Sequence, residues 1–159
     1  FWRFHLIWMC AQTADAFHLY SAYDFAHLYS NTRVCFAHGN QFGQVGYGRR
    51  QQAFNGRPDL FTDSSNPKDT ICCDNVYFDT LVHDVYSFEL LVKRQGVGRI
   101  VAGLDDPYPL GEMDEIESSY PGKVLDDAVQ HNIISDHERQ MIWNNNVIHW
   151  LGFVPPLNT

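Results

Sequence analysis

Basic residues, cysteines and long apolar runs are all scarce in this sequence. Lysine and arginine number 11 against 19 aspartates and glutamates, so the formal net charge is -8 at pH 7. Proteins that bind nucleic acid need a basic surface to neutralise phosphates, and this charge balance argues against such a partner. No apolar stretch approaches the roughly 20 residues of a membrane-spanning helix. We therefore expect no nucleic acid partner and no membrane span.

Cysteine usage favours a reducing, intracellular setting. Four cysteines are too few for a disulfide scaffold in 159 residues, and Cys72 and Cys73 are adjacent, which is a poor geometry for pairing. No Cys-x-x-Cys or Cys/His spacing indicates a structural zinc site. The cytoplasm fits best, and an organellar assembly stays open. Because the chain opens on Phe-Trp-Arg-Phe, without methionine or a signal pattern, we expect a processed product, a fragment or part of something longer.

What the sequence does contain is typical of one globular domain. Hydrophobic residues make up 45% of the chain and aromatic residues 14%, which is far from the composition of disordered proteins. A length of 159 residues suffices for one sizeable core and is too short for two ordinary ones. We therefore treat residues 1–159 as a single domain.

Three short apolar runs without alternation predict strands that are buried on both faces. Each run is followed by residues with helical spacing, which predicts parallel strands joined by right-handed crossovers and hence an α/β fold. The predicted strands are Arg33–Ala37, Val76–Thr80 and Arg99–Leu104. The predicted helices are 11–28, 85–95, 123–130 and 135–150, the second capped by Asp84 and the last by a capping box of Ser135 and Glu138.

Polar residues gather where the predicted strands end. They are His38 after the first strand, Asp79 and His83 around the end of the second, and Asp105 after the third. The carboxyl ends of parallel strands share one edge of a sheet, where α/β proteins build their active sites. We therefore expect His38 and Asp105 to share one face of the fold.

Two loops at this edge carry charged residues. Asp105 opens the loop Asp105–Glu112, whose two prolines fix their φ angles, so its carboxylate suits a metal ligand or an acid/base group. An ordinary solvated turn rich in Asp and Pro is the alternative. The segment Asn40–Arg50 holds three glycines and two arginines, Arg49 and Arg50. It predicts either a glycine-rich loop around an anionic ligand or a plain connection.

Five motifs, taken in their order and spacing, carry a family resemblance. They are Phe36–Gly39, Gly48–Arg49, Arg57–Leu60, Tyr77–Asp84 and Asp105–Glu112. From about Trp2 to Phe153 the chain resembles the C-terminal half of the 2-amino-3-carboxymuconate-6-semialdehyde decarboxylase family, of the amidohydrolase superfamily. The resemblance implies the C-terminal part of a (β/α)8 TIM-type barrel, incomplete in this chain. It further implies a zinc-dependent decarboxylase without an organic cofactor, acting on a small unsaturated carboxylate of tryptophan (kynurenine) catabolism.

The resemblance also implies roles for particular residues. Asp105 falls on a zinc ligand of the family. His38 falls on the histidine that takes a proton from zinc-bound water and passes a proton to the substrate carbon, which a neutral imidazole can do near pH 7. Arg49 falls on the arginine that a neighbouring subunit offers to a substrate carboxylate, so an oligomer is implied. His83 and Asp84 match the family pattern and are interpreted as structural.

The sequence departs from the family in ways that affect the site. Asn40 and Gln41 replace part of a glycine-rich run, and Asp106 adds a negative charge beside Asp105. The family's His-x-His pair and its further histidine ligand belong to an N-terminal half that this sequence lacks. Since one carboxylate cannot hold zinc, we expect this chain alone to be inactive. Half a barrel also leaves two sheet edges unpaired, so we expect the missing half or another chain to cover them.

Two interpretations of function stay open. In the first, the chain is part of a zinc decarboxylase that a missing N-terminal half completes. In the second, it is a catalytically degenerate amidohydrolase-like subunit with a structural or assembly role in a larger complex. The presence of His38, Arg49 and Asp105 favours the first, because a purely structural role needs none of them. The absent ligands and the altered flanking residues favour the second.

Overall fold

A parallel sheet of three strands lies at the centre of the fold. The computed structural model describes residues 2–61, 66–67, 73–112 and 119–153. Its strands are β1 (Val34–Phe36), β2 (Val76–Asp79) and β3 (Ile100–Val101). They lie in the order β1-β2-β3, and both pairs are parallel. The predicted parallel sheet is confirmed.

The α-helices alternate with these strands along the chain. They are α1 (Met9–Ala22), α2 (Phe25–Leu28), α3 (Gln41–Gly56), α4 (Val85–Gln95), α5 (Lys123–Gln130), α6 (Asp136–Gln140) and α7 (Asn146–Leu151). π-Helical segments at Phe4–Trp8 and Met141–Asn145 lead into α1 and join α6 to α7. Single 3₁₀ turns cover His38–Asn40, Pro58–Leu60 and Val97–Arg99. Within the described residues, no helix combines the length and apolarity that crossing a bilayer would require.

The core lies between one face of the sheet and the helices that pack on it. Phe78 pairs in register with Phe36 on one side and with Ile100 on the other, so the three side chains project from the same face. All three belong to one apolar cluster with Phe88 and Leu91 of α4, and both of these helical side chains are fully buried. Full burial of a side chain of this size contributes roughly 1.5–3 kcal/mol. This packing holds the carboxyl ends of the strands together.

Two predicted helix starts are confirmed. The Asp84 carboxylate accepts the backbone N–H groups of Tyr86 and Ser87 at 2.9 and 3.0 Å, which caps α4. Ser135 and Glu138 form the expected capping box at the start of α6.

The predicted helix 11–28 is wrong at both its start and its continuity. Helical structure already begins at Phe4, and Thr13, which could cap a helix starting near residue 11, is an interior residue that donates to the Met9 carbonyl at 3.0 Å. The helix breaks after Ala22 because Asp24 has a φ of 56°, in the left-handed region.

The predicted glycine-rich loop Asn40–Arg50 is also wrong, because this segment forms most of α3. Each glycine costs up to about 1 kcal/mol in a helix, and tertiary contacts override that cost here. A Cβ on Gly43 would lie 2.2 Å from the Asn40 side chain, so close packing explains this glycine. The buried Gln44 donates to the Gly39 carbonyl at 3.1 Å and ties the helix to the turn after β1.

The third strand is shorter than predicted. Only Ile100 and Val101 pair with β2, whereas Arg99–Leu104 was expected. The Ala102 N–H donates to the Ile142 carbonyl at 3.2 Å, and Gly103 bonds to the Thr80 side chain. These partners draw the backbone away from strand pairing.

Candidate functional site

A cavity of about 470 Å³ opens at the carboxyl end of the sheet. Its walls include His38, His83 and Asp105 from the strand ends, and Trp2, Phe4 and His5 from the start of the chain. His38 and Asp105 therefore lie at the same end of the sheet and line the same cavity. A volume of this size suits a small organic molecule.

The three strand-end residues of this cavity share an uncommon backbone conformation. His38, His83 and Asp105 have φ angles of 55°, 65° and 56°. Residues other than glycine rarely occupy this left-handed region, and those that do cluster at functional sites where the surrounding structure holds them in place. Specific contacts hold each of the three turns.

The turn at His38 is held by the partly buried carboxylate of Asp79. Its Oδ1 accepts the N–H of Gly39 at 2.9 Å and that of Leu81 at 3.1 Å. Burial raises the pKa of Asp79, and the backbone N–H groups and the nearby His38 imidazole offset part of that rise. The His38 Nδ1 is enclosed and has no hydrogen-bond partner among the described residues.

Backbone hydrogen bonds stabilise the loop that begins at Asp105. The Tyr108 N–H donates to the Asp105 carbonyl at 2.8 Å, the Gly111 N–H to the Tyr108 carbonyl at 2.8 Å, and the Glu112 N–H to the Leu104 carbonyl at 2.9 Å. A Cβ on Gly111 would lie 2.7 Å from the Leu104 carbonyl oxygen, so the loop closes on itself only with glycine there.

Two polar residues, Glu112 and Gln41, make hydrogen bonds near this site that the sequence did not predict. Glu112 is 5% exposed, and its carboxylate accepts the N–H groups of Gly122 and Val124 at the start of α5. Burial raises the pKa of Glu112, and those two N–H groups offset part of the rise. Gln41 lines the cavity and donates to the Val82 carbonyl at 2.6 Å. Glu112 ends one of the motifs that carry the resemblance and Gln41 marks a departure from the family, but neither pattern indicates these hydrogen bonds.

Arg49 does not reach the cavity. It lies on α3, is exposed, and is not among the described residues that line the cavity, none of which is lysine or arginine. Its neighbour Arg50 instead packs inward, donating to the Ser21 hydroxyl at 2.8 Å with its guanidinium 5.3 Å from the Phe17 ring centre.

The described residues do not fit a complete zinc site. A catalytic zinc ion takes three protein ligands, commonly histidine and carboxylate. In the part of the chain that the structure describes, no three His, Cys, Asp or Glu side chains are grouped closely enough to hold a metal ion. His38, His83 and Asp105 share the cavity without forming such a group.

Comparison with known proteins identifies two curated relatives. The chain is 32% identical over 127 residues to a 2-amino-3-carboxymuconate-6-semialdehyde decarboxylase of Dictyostelium discoideum, which covers 79% of this chain and 32% of that protein. It is 30% identical over 148 residues to the decarboxylase of the same name from Caenorhabditis elegans, covering 92% of this chain and 35% of that protein. No protein-family model matches the sequence.

The fold also matches part of a larger solved structure. The crystal structure of Metarhizium anisopliae IDCase in its apo form superimposes with a TM-score of 0.67 at 17% identity, covering 90% of this chain and 40% of that one. The three parallel strands and their helices thus correspond to part of an amidohydrolase-type barrel. The chain is therefore homologous to part of the 2-amino-3-carboxymuconate-6-semialdehyde decarboxylases, spanning about a third of the length of the relatives it matches.

Proposed function

We propose that this chain, as one domain over residues 1–159, forms part of a decarboxylase active site for a small unsaturated carboxylate. Aminocarboxymuconate semialdehyde, named in both curated relatives, is the substrate we would test first. One observation carries the proposal. A chain homologous to decarboxylases brings His38 and Asp105, far apart in sequence, to the wall of a single cavity.

The active site is completed by polypeptide other than the residues described here. Asp105 is the zinc ligand that this chain supplies, and the remaining ligands come from the rest of the barrel, in the same polypeptide or on another chain. Two observations support this division. The chain spans about a third of its relatives, and its described residues do not group around a metal by themselves.

His38 is the proton donor in this proposal. Loss of CO₂ breaks a C–C bond and leaves the electron pair on the substrate carbon, so one proton must be delivered to that carbon. Histidine titrates near neutral pH and can both take up and release this proton. The position of His38 in the cavity wall, held by the Asp79 contact to the next residue, supports the assignment.

Arg49 binds a substrate carboxylate in a neighbouring subunit. Its exposure on α3 supports this role, because an exposed side chain that does not line its own cavity is free to reach another subunit. The planar guanidinium offers two parallel N–H donors to a carboxylate. An oligomer is therefore part of the proposal.

Exposed apolar surface at the start of the chain supports a covering partner. Five large apolar side chains there are each at least half exposed, namely Trp2, Phe4, Leu6, Ile7 and Trp8. In the described sheet, β1 and β3 each pair on one side only. Exposed apolar clusters and open strand edges are features that proteins normally cover.

A chimera provides the test. The homologous third of the Dictyostelium discoideum enzyme is replaced by this chain, and loss of aminocarboxymuconate semialdehyde is followed together with bound zinc. Activity that disappears in His38→Ala and persists in His137→Ala, an exposed histidine of α6, supports the proposal. A folded chimera that binds zinc and does not decarboxylate contradicts it.

A second function, as a non-catalytic assembly subunit, is favoured by the exposed apolar side chains at the start of the chain, which a structural contact alone would also cover. The chimera separates the two functions, and the measured mass of the intact natural polypeptide tests whether the missing ligands lie in the same polypeptide or on another chain. A product of 18.4 kDa requires a partner chain, whereas a mass about twice as large leaves room for the missing ligands.

A further inference from the structure

We infer that Asp79 and Thr80 are positioning residues that together fix the separation of His38 and Asp105. The expected effect on catalysis rests on the proposed function. The hydrogen bonds themselves do not depend on it. The two residues are consecutive at the end of β2, the middle strand, so each can reach one neighbouring strand end.

Asp79 reaches the β1 side. Its Oδ1 accepts the Gly39 N–H at 2.9 Å, forty positions earlier in the chain, and the Leu81 N–H at 3.1 Å. The first bond holds the residue directly after His38, in a turn where both residues have left-handed φ angles. A turn of this kind persists only when contacts such as this one hold it.

Thr80 reaches the β3 side. Its hydroxyl accepts the Gly103 N–H at 3.1 Å and donates to the Gly103 carbonyl at 3.2 Å, so one side chain satisfies both backbone groups of that residue. Thr80 is 1% exposed, which shields the pair from competing water. Gly103 lies two residues before Asp105, where the chain leaves the sheet.

Gly103 connects the two contacts. A Cβ built on Gly103 would lie 2.7 Å from the Asp79 Cβ, closer than any real contact. The β3 end can therefore approach Asp79 only because residue 103 has no side chain. We call Asp79, Thr80 and Gly103 the bracket. Their contacts set the distance between the ends of β1 and β3, and therefore between His38 and Asp105.

The side-chain oxygens of Asp79 and Thr80 bond directly to the backbone of the two neighbouring strand ends, so losing either one should shift the strand end that carries a site residue. A loss of positioning should therefore reduce turnover more than it reduces substrate affinity, because misplaced reacting groups raise the barrier of the chemical step.

The first experiment measures amide hydrogen exchange by NMR in the 159-residue chain. We expect Thr80→Val, which keeps the shape and loses the hydroxyl, to speed exchange about tenfold or more at Gly103 without affecting Gly39. Asp79→Ala should do the reverse. Thr80→Ser and Asp79→Asn keep the acceptor oxygens and should restore protection. Unchanged exchange at Gly103 in Thr80→Val, or failure of Thr80→Ser to restore it, would overturn the bracket.

The second experiment measures steady-state kinetics in the chimera. Thr80→Val should lower kcat by about tenfold or more with KM unchanged, and Thr80→Ser should restore it to within about twofold. Equal loss in both variants would overturn the positioning role. If the parent chimera folds but has no activity, the proposed function fails, while the exchange data still decide whether the bracket exists.

Discussion

The imidazole Nε2 of His83 donates a hydrogen bond of 2.8 Å to the carbonyl oxygen of Leu110. This contact joins the residues after β2 to the loop that begins at Asp105, and both partners line the cavity. His83 was interpreted as structural from the sequence. The structural role of His83 is to hold the loop that carries Asp105 through this hydrogen bond.

Removal of this tether should loosen the loop. We expect His83→Ala to speed amide exchange across the described loop residues 105–112 by severalfold, with little change in exchange in α4. His83→Gln is the matched control, since its side-chain amide can still donate to the Leu110 carbonyl. Equal exchange in His83→Ala and the parent chain would show that the loop's own backbone bonds suffice.

The partly buried Asp79 should make stability depend on pH in the acid range. Burial raises its pKa above the ordinary 3.8, so the folded state binds a proton more readily than the unfolded state does. The free energy of unfolding should therefore fall as pH rises from about 3.8 through the raised pKa. Asp79→Asn should flatten this part of the curve, measured by urea denaturation at several pH values.

Asp59→Asn is a control, because Asp59 should change the free energy of unfolding with pH in the opposite direction. Arg57 lowers the pKa of Asp59 by direct hydrogen bonds at the surface, so its small contribution is lost as pH falls. A curve for Asp79→Asn as steep as that of the parent chain would exclude Asp79 as the source.

Much of the sheet was predictable from the sequence because its signals are local. The apolar runs of β1 and β2 and the caps at Asp84 and Ser135 each depend on a few neighbouring residues, and each appears as expected. The placement of His38 and Asp105 on one cavity followed from the rule that parallel strands share a carboxyl edge.

What could not be predicted depends on contacts between distant segments. The helix α3 forms despite its glycines because Gly43 packs against Asn40 and Gln44 binds the Gly39 carbonyl. The early end of β3 depends on Thr80 and Ile142, which no pattern around residue 102 reveals. Arg49 and Arg50 are adjacent in sequence, and only the folded helix shows which of them packs inward.

Glycines of α3 should differ sharply in their tolerance of alanine. Gly46→Ala should raise the free energy of unfolding by about 0.5–1 kcal/mol, because no atom of the described residues lies within 4 Å of its new Cβ and alanine favours the helix. Gly43→Ala should lower it, since its Cβ would meet the Asn40 side chain at 2.2 Å. Chemical denaturation measures both, and stabilisation by Gly43→Ala would contradict the packing described here.

Substitution of the two adjacent arginines, Arg49 and Arg50, should have different effects on stability. Arg49→Ala should leave the melting temperature unchanged and, in an active chimera, raise KM for the carboxylate substrate, because its side chain is exposed. Arg50→Ala should lower the melting temperature, since it removes the bond to Ser21 and the packing on Phe17. A melting temperature that responds equally to both changes would contradict this assignment.

The central claim is that this chain contributes His38 and Asp105 to a decarboxylase site. The most direct measurement is kcat and bound zinc in the chimera and its two variants, with zinc determined by elemental analysis. We predict that His38→Ala retains zinc and loses at least about 100-fold in kcat, the range for a general acid, whereas Asp105→Ala loses zinc as well. A His38→Ala chimera with full activity, or a folded parent chimera without any, would contradict the account.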